Sequence, residues 1–82
     1  MMLVPVIDMK RTGEKIISLR KKCGLSVREL QELLGFVRPQ SIYKWQRGET
    51  LPNIDNLVAL SCAFSVPIEE ILVSECRNEA GK

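Results

Sequence analysis

Gln40, Ser41, Tyr43, Lys44 and Arg47 crowd into one short segment with Ile42 and Trp45 between them. The apolar pair is three residues apart, so one side of a helix is spent on a core. The remaining positions carry hydrogen-bonding groups, and no Asp or Glu occurs between Glu32 and Glu49. An ordinary wet helix face interleaves acids with bases. A face that excludes them suits a polyanion whose edges carry acceptors. Gln40 can pair bidentately with adenine N6 and N7, and Lys44 and Arg38 can donate to guanine O6 and N7. Gln40 and Lys44 are four apart and stack along one face. The expected base-reading set is therefore Arg38, Gln40, Ser41, Tyr43 and Lys44, on a helix expected over 38–47. Arg28 and Arg47 are placed to clamp phosphates. Ser26 lies at a helix N-terminus, where free N–H groups attract an anion. Arg20 and Asn53 complete the expected phosphate-contacting set. Ile42, Trp45 and Gln46 are expected to support the helix from beneath.

Catalysis finds no such concentration. The chain has no histidine, which removes Ser-His and Cys-His arrangements. Glu69 and Glu70 are sequence neighbours and point about 100° apart on a helix, so they form no carboxylate pair. A glycine-rich phosphate loop is missing. Cys23, Cys62 and Cys76 are too few and too scattered for a disulfide framework or a zinc site. Cys23 and Cys62 are expected to be small buried residues. No enzyme, cofactor or metal is expected.

The elements that must hold the segment are read from spacing. Asp8 or Thr12 can cap a first helix whose apolar stripe is Ile16, Leu19 and Cys23, stopped by Gly24. Ser26 with Glu29 three residues on is a capping-box pattern opening a second helix. Val27, Leu30, Leu33 and Leu34 are expected inside it, and Gly35 ends it. Phe36 and Val37 are expected to pack beneath the turn. Pro39 opens the third helix and Gly48 closes it. Asn53 caps a fourth helix through Leu57, Val58, Leu60 and Phe64. Val66 and Pro67 open a short fifth helix with Ile68, Ile71 and Leu72 inside. No strand pair is expected.

The 82 residues fit one domain with a thin core. Hydrophobic content of 45% and charged content of 27% are ordinary for a globular protein. No apolar run approaches the ~20 residues of a membrane span. The start lacks the pattern of a signal peptide, so a cytoplasmic location is expected. Net charge is only +2, but residues 20–50 stand at +4 and residues 51–82 at −3. The positive field thus coincides with the helix pair, as phosphate binding requires. Residues 1–11 are expected to be an extended or disordered arm that could lie on DNA or add a strand across a dimer. Residues 12–73 form the domain, and 74–82 a polar tail.

The stretch from Glu14 to Leu72 resembles the lambda-repressor-like, Cro/CI-type helix-turn-helix family, also called the xenobiotic-response-element family. The matching pieces include Leu19-Arg20-Lys21-Lys22, Gly24-Leu25-Ser26, Glu29-Leu30, Leu34-Gly35, Ile42-Tyr43-Lys44-Trp45, Arg47-Gly48, Leu51-Pro52 and Asn56-Leu57. The resemblance implies an all-α, five-helix DNA-binding domain of a transcription regulator, with helix three as the recognition helix. It implies double-stranded DNA as partner and a homodimer as the acting form. Five features depart from the family pattern. The turn before Ile42 is one residue longer than usual. Pro39 stands where many members read a base, and Val27 where many touch DNA. Many members pair the arginine at position 20 with a glutamate at position 46, where this chain has Gln46. Ser65 replaces a common helix-ending glycine. These departures keep open a rival reading, an antitoxin or protein-interaction module that retains the fold and whose partner could be a toxin.

Overall fold

The computed structural model describes residues 3–78. Strand β1 (Leu3–Ile7) leads into helix α1 (Met9–Lys22). Helices α2 (Val27–Leu34), α3 (Gln40–Arg47) and α4 (Ile54–Phe64) follow. A single 3-10 turn (Ile68–Glu70) and strand β2 (Ser74–Asn78) complete the order. The core joins Ile16 and Leu19 of α1, Leu30 of α2, Ile42 and Trp45 of α3, Leu57, Leu60 and Phe64 of α4, and Ile71. In α1, α3 and α4 these residues lie three, four or seven apart, which is the spacing of one buried stripe.

Local sequence signals set most helix ends. Asp8 accepts from the Arg11 N–H at 2.9 Å and starts α1, so the helix begins at Met9 and not beyond Thr12. Ser26 and Glu29 form both bonds of the capping box, at 3.0 and 2.9 Å. Asn53 caps α4 by accepting from the Asn56 N–H at 2.8 Å. Gly35 and Gly48 take left-handed conformations, φ 72° and 76°, and end α2 and α3. Ser65 adopts φ 56° at the end of α4, a conformation that costs a non-glycine residue about 1 kcal/mol.

Several expectations are corrected. The fifth helix is one 3-10 turn, because the chain after it is drawn into an extended path. Val73 donates its N–H to the buried Thr12 hydroxyl at 2.9 Å and accepts from the Asp8 N–H at 2.8 Å. Beyond it, β2 pairs antiparallel with β1, Ile7 opposite Ser74 and Leu3 opposite Asn78. A strand pair therefore exists where none was expected, built from the two ends of the described chain. Residues 1–2 of the expected arm and 79–82 of the expected tail lie outside the described residues.

Burial also departs from the apolar pattern. Cys23, Cys62 and Cys76 are all exposed. Cys62 sits on the far side of α4 from the Leu57, Leu60 and Phe64 stripe, and Cys23 lies past the last turn of α1. Leu33 is 61% and Val37 91% exposed. The stripe of α2 runs through Val27, Leu30 and Leu34, which turns Leu33 outward. Phe36 alone fills the space under the turn.

Candidate nucleic-acid interface

Helix α3 lies on a bed that fixes its rotation. Ile42 is completely buried and Trp45 is nearly so. Phe36 meets Trp45 edge to face, with ring centroids 5.8 Å apart, a favoured aromatic geometry. With that side committed, Gln40, Ser41, Tyr43, Lys44 and Arg47 are exposed. Arg38 is exposed too, but it belongs to the turn, since α3 starts at Gln40. Pro39 offers no side-chain cap, and only its carbonyl serves the helix, accepting from the Tyr43 N–H at 3.1 Å.

The long turn between α2 and α3 is braced from α2. The Gln31 amide donates to the Phe36 carbonyl at 3.3 Å and to the Val37 carbonyl at 3.1 Å. These bonds hold residues that carry no regular structure. The sequence reading did not single out Gln31; its position four residues before Gly35 gives no local signal of this reach.

Helix α1 supplies two further supports for α3. A Cβ built on Gly13 would stand 2.4 Å from the Trp45 carbonyl oxygen and 2.7 Å from that of Gln46. Only glycine lets the two backbones approach this closely. At the other end of α1, Arg20 donates through Nε to Gln46 Oε1 at 3.1 Å and through Nη1 to the Leu25 carbonyl at 2.7 Å. The Arg20–Gln46 pair implied by the resemblance is thus formed. Gly13 was missed, although an unexplained glycine inside a helical pattern is itself a packing signal.

The remaining expected phosphate-contacting residues lie at helix ends. Ser26 caps α2, with Arg28 exposed in its first turn. Asn53 caps α4. Arg47 closes α3 and donates to the Glu49 carboxylate. That bond holds the Glu49 carboxyl below its ordinary range and raises the Arg47 guanidinium above its own. The Glu29 carboxyl is also lowered, because it accepts from the Ser26 backbone N–H. The Arg47 and Glu49 side chains are 57% and 50% exposed, so Arg47 can exchange Glu49 for another anion at little cost. Among the described residues, no helix is long and apolar enough to cross a membrane.

The same arrangement of elements occurs in known proteins. Residues 16–71 match the family model described as Helix-turn-helix. The HTH-type transcriptional activator BcrR of Enterococcus faecalis is 39% identical over 63 residues, 77% of this chain and 30% of that protein. Repressor protein C2 of Salmonella phage P22 is 38% identical over 60 residues, 73% of this chain and 27% of that protein. The chain therefore spans under a third of the length of these curated relatives. Among solved structures, the restriction-modification controller protein C.AhdI from Aeromonas hydrophila superposes with a TM-score of 0.71 at 25% identity, covering 78% of this chain and 96% of that one. A transcriptional regulator from Listeria innocua gives 0.67 at 29% identity, covering 85% of this chain and 66% of that one. The match over residues 16–71 and these relatives place the chain in the Cro/CI-type helix-turn-helix family.

Proposed function

We propose that this chain is a sequence-specific DNA-binding transcriptional regulator that reads the major groove with α3 and acts as a homodimer. The observation that carries the reading is the outer face of α3. It is exposed, free of acids, rich in donors and fixed in rotation by Ile42 and Trp45. Gln40, Ser41, Tyr43 and Lys44 meet base edges, joined by Arg38 from the turn. Ser26, Arg28, Arg47 and Asn53 take phosphates, so that two helix N-termini and one helix end grip the backbone. Arg20 acts differently from these. Its donors are engaged with Gln46 and Leu25, so it serves DNA binding by orienting α3. One such helix reads few base pairs, and two half-sites about 34 Å apart supply useful affinity.

Selection of bound sequences from a random DNA pool, followed by polarisation titrations across a salt series, tests the reading. A two-fold symmetric consensus is expected. Gln40→Ala relaxes preference at one base position by roughly 1–3 kcal/mol. Arg47→Ala weakens all sequences alike and flattens the salt dependence by about one ion. Binding that ignores salt, or no enrichment of any sequence, would sink the proposal.

A further inference from the structure

Val37 is the most exposed large apolar side chain among the described residues, at 91%. A single exposed valine needs no explanation by itself, but this one stands on a backbone held from both sides. The Gln31 side-chain amide donates to the Phe36 and Val37 carbonyls at 3.3 and 3.1 Å, and the Phe36 N–H donates back to the Gln31 carbonyl at 3.0 Å. The Phe36 ring rests edge-on against Trp45. On the other side, the Pro39 carbonyl accepts from the Tyr43 N–H at 3.1 Å, and the Pro39 ring fixes its own φ. The turn is thus ordered before it meets anything, and a side chain displayed on an ordered backbone loses less freedom on binding.

The place of the turn says what Val37 meets. It precedes α3, whose first residue is Gln40, and a recognition helix contacts base edges with its N-terminal residues. The charged residues between Glu32 and Glu49 are Arg38, Lys44 and Arg47, all positive, so the surroundings suit a polyanion and not an apolar protein surface. In the major groove the base edges carry hydrogen-bonding atoms and one apolar group, the C5-methyl of thymine. Resting on the DNA-binding reading of α3, we infer that Val37 is a further specificity-determining residue. Its side chain packs against a thymine methyl at the edge of the base pairs read by Gln40 and Lys44. Gln31 is the positioning residue that holds it there. The longer turn thereby extends the reading surface past the end of the helix, beside Pro39, which has no donor to offer a base.

The test uses the half-site that the whole chain selects from random DNA, with each thymine replaced in turn by deoxyuridine. That exchange removes the methyl and leaves every hydrogen-bonding group in place. At one position the wild type is expected to lose affinity about fourfold, the effect of one buried carbon. Val37→Ser binds thymine and uracil alike at that position, keeps the wild-type ratio at the others, and unfolds at the wild-type denaturant midpoint. Val37→Ile keeps the discrimination. Gln31→Ala brings the ratio at that position towards one while its salt dependence stays that of the wild type; a general loss of structure would weaken both duplexes equally and leave the ratio unchanged. A wild type indifferent to every replacement overturns the inference, as does a Val37→Ser protein that keeps every wild-type ratio; in both cases sequence-specific binding still stands. A Gln31→Ala protein with the full ratio removes the positioning role. Enrichment of no sequence at all overturns the DNA reading itself, before any thymine is replaced.

Discussion

At Gly13 helix α1 meets α3 backbone to backbone, whereas at Arg20, two turns further on, it reaches α3 only through a side chain. The first contact is a van der Waals fit with two carbonyl oxygens of α3 as neighbours. It has no rotamer to adjust, so nothing can yield except the helices themselves. The second is a pair of hydrogen bonds from a half-buried guanidinium. It can lengthen, rotate or admit water. The distance of α3 from the body is therefore set rigidly where Gly13 meets Trp45 and Gln46, while Arg20, from the other end of α1, holds the same stretch of α3 through the adjustable Gln46 side chain. A recognition helix benefits from both, because small tilts displace side chains at its far end.

Four changes probe this division, in falling order of effect. Gly13→Ala sharpens it most. Alanine gains about 1 kcal/mol of helix propensity, yet a methyl group 2.4 Å from a carbonyl oxygen forces the helices apart. A net loss of about 2–3 kcal/mol is expected, read as a lowered denaturant midpoint, together with weaker DNA binding. A stable Gly13→Ala protein would break the comparison. Arg20→Ala leaves the Leu25 carbonyl and the Gln46 amide oxygen without their donor and costs about 1–2 kcal/mol. Its unfolding midpoint should fall less than that of Gly13→Ala.

Ser26→Ala serves as a calibration, because this cap touches neither contact. It costs about 1 kcal/mol and leaves the order of the first two variants unchanged. It also carries a pH signature. The folded Glu29 carboxyl lies below its ordinary value, so its contribution is present above the unfolded pKa and fades as pH falls through the folded one. Stability of the wild type should decline with acid over that window more steeply than that of Glu29→Gln, which keeps an acceptor for the Ser26 N–H but cannot titrate. Gln46→Glu is the smallest effect and the only gain. It turns a neutral acceptor into a charged one for Arg20 and adds about 1 kcal/mol or less, seen as a raised melting temperature. A loss would mean that the second contact depends on shape and not on charge.

Much of the recognition unit was legible residue by residue. The capping box at Ser26 and Glu29, the glycine stops at Gly35 and Gly48, and the inward pair Ile42 and Trp45 are local signals with local causes. The Arg20–Gln46 pair was legible through family likeness. Burial of Leu33, Val37, Cys23 and Cys62 was misread, because an apolar residue does not declare which side of its helix meets the core. The last helix failed for a related reason. Ile68, Ile71 and Leu72 suit a helix, but Val73 is held by Thr12 and Asp8 from the far end of the sequence.

The amino-acid order alone determined the caps, the stops, the acid-free outer face of α3 and the positive field around it. Those follow from bonds and charges within a few residues of one another. Only the tertiary structure decided how α3 is seated, through Gly13, Gln31 and Phe36, and that the chain ends meet as a ribbon. Contacts between segments far apart depend on where whole elements lie, and no local pattern encodes that placement.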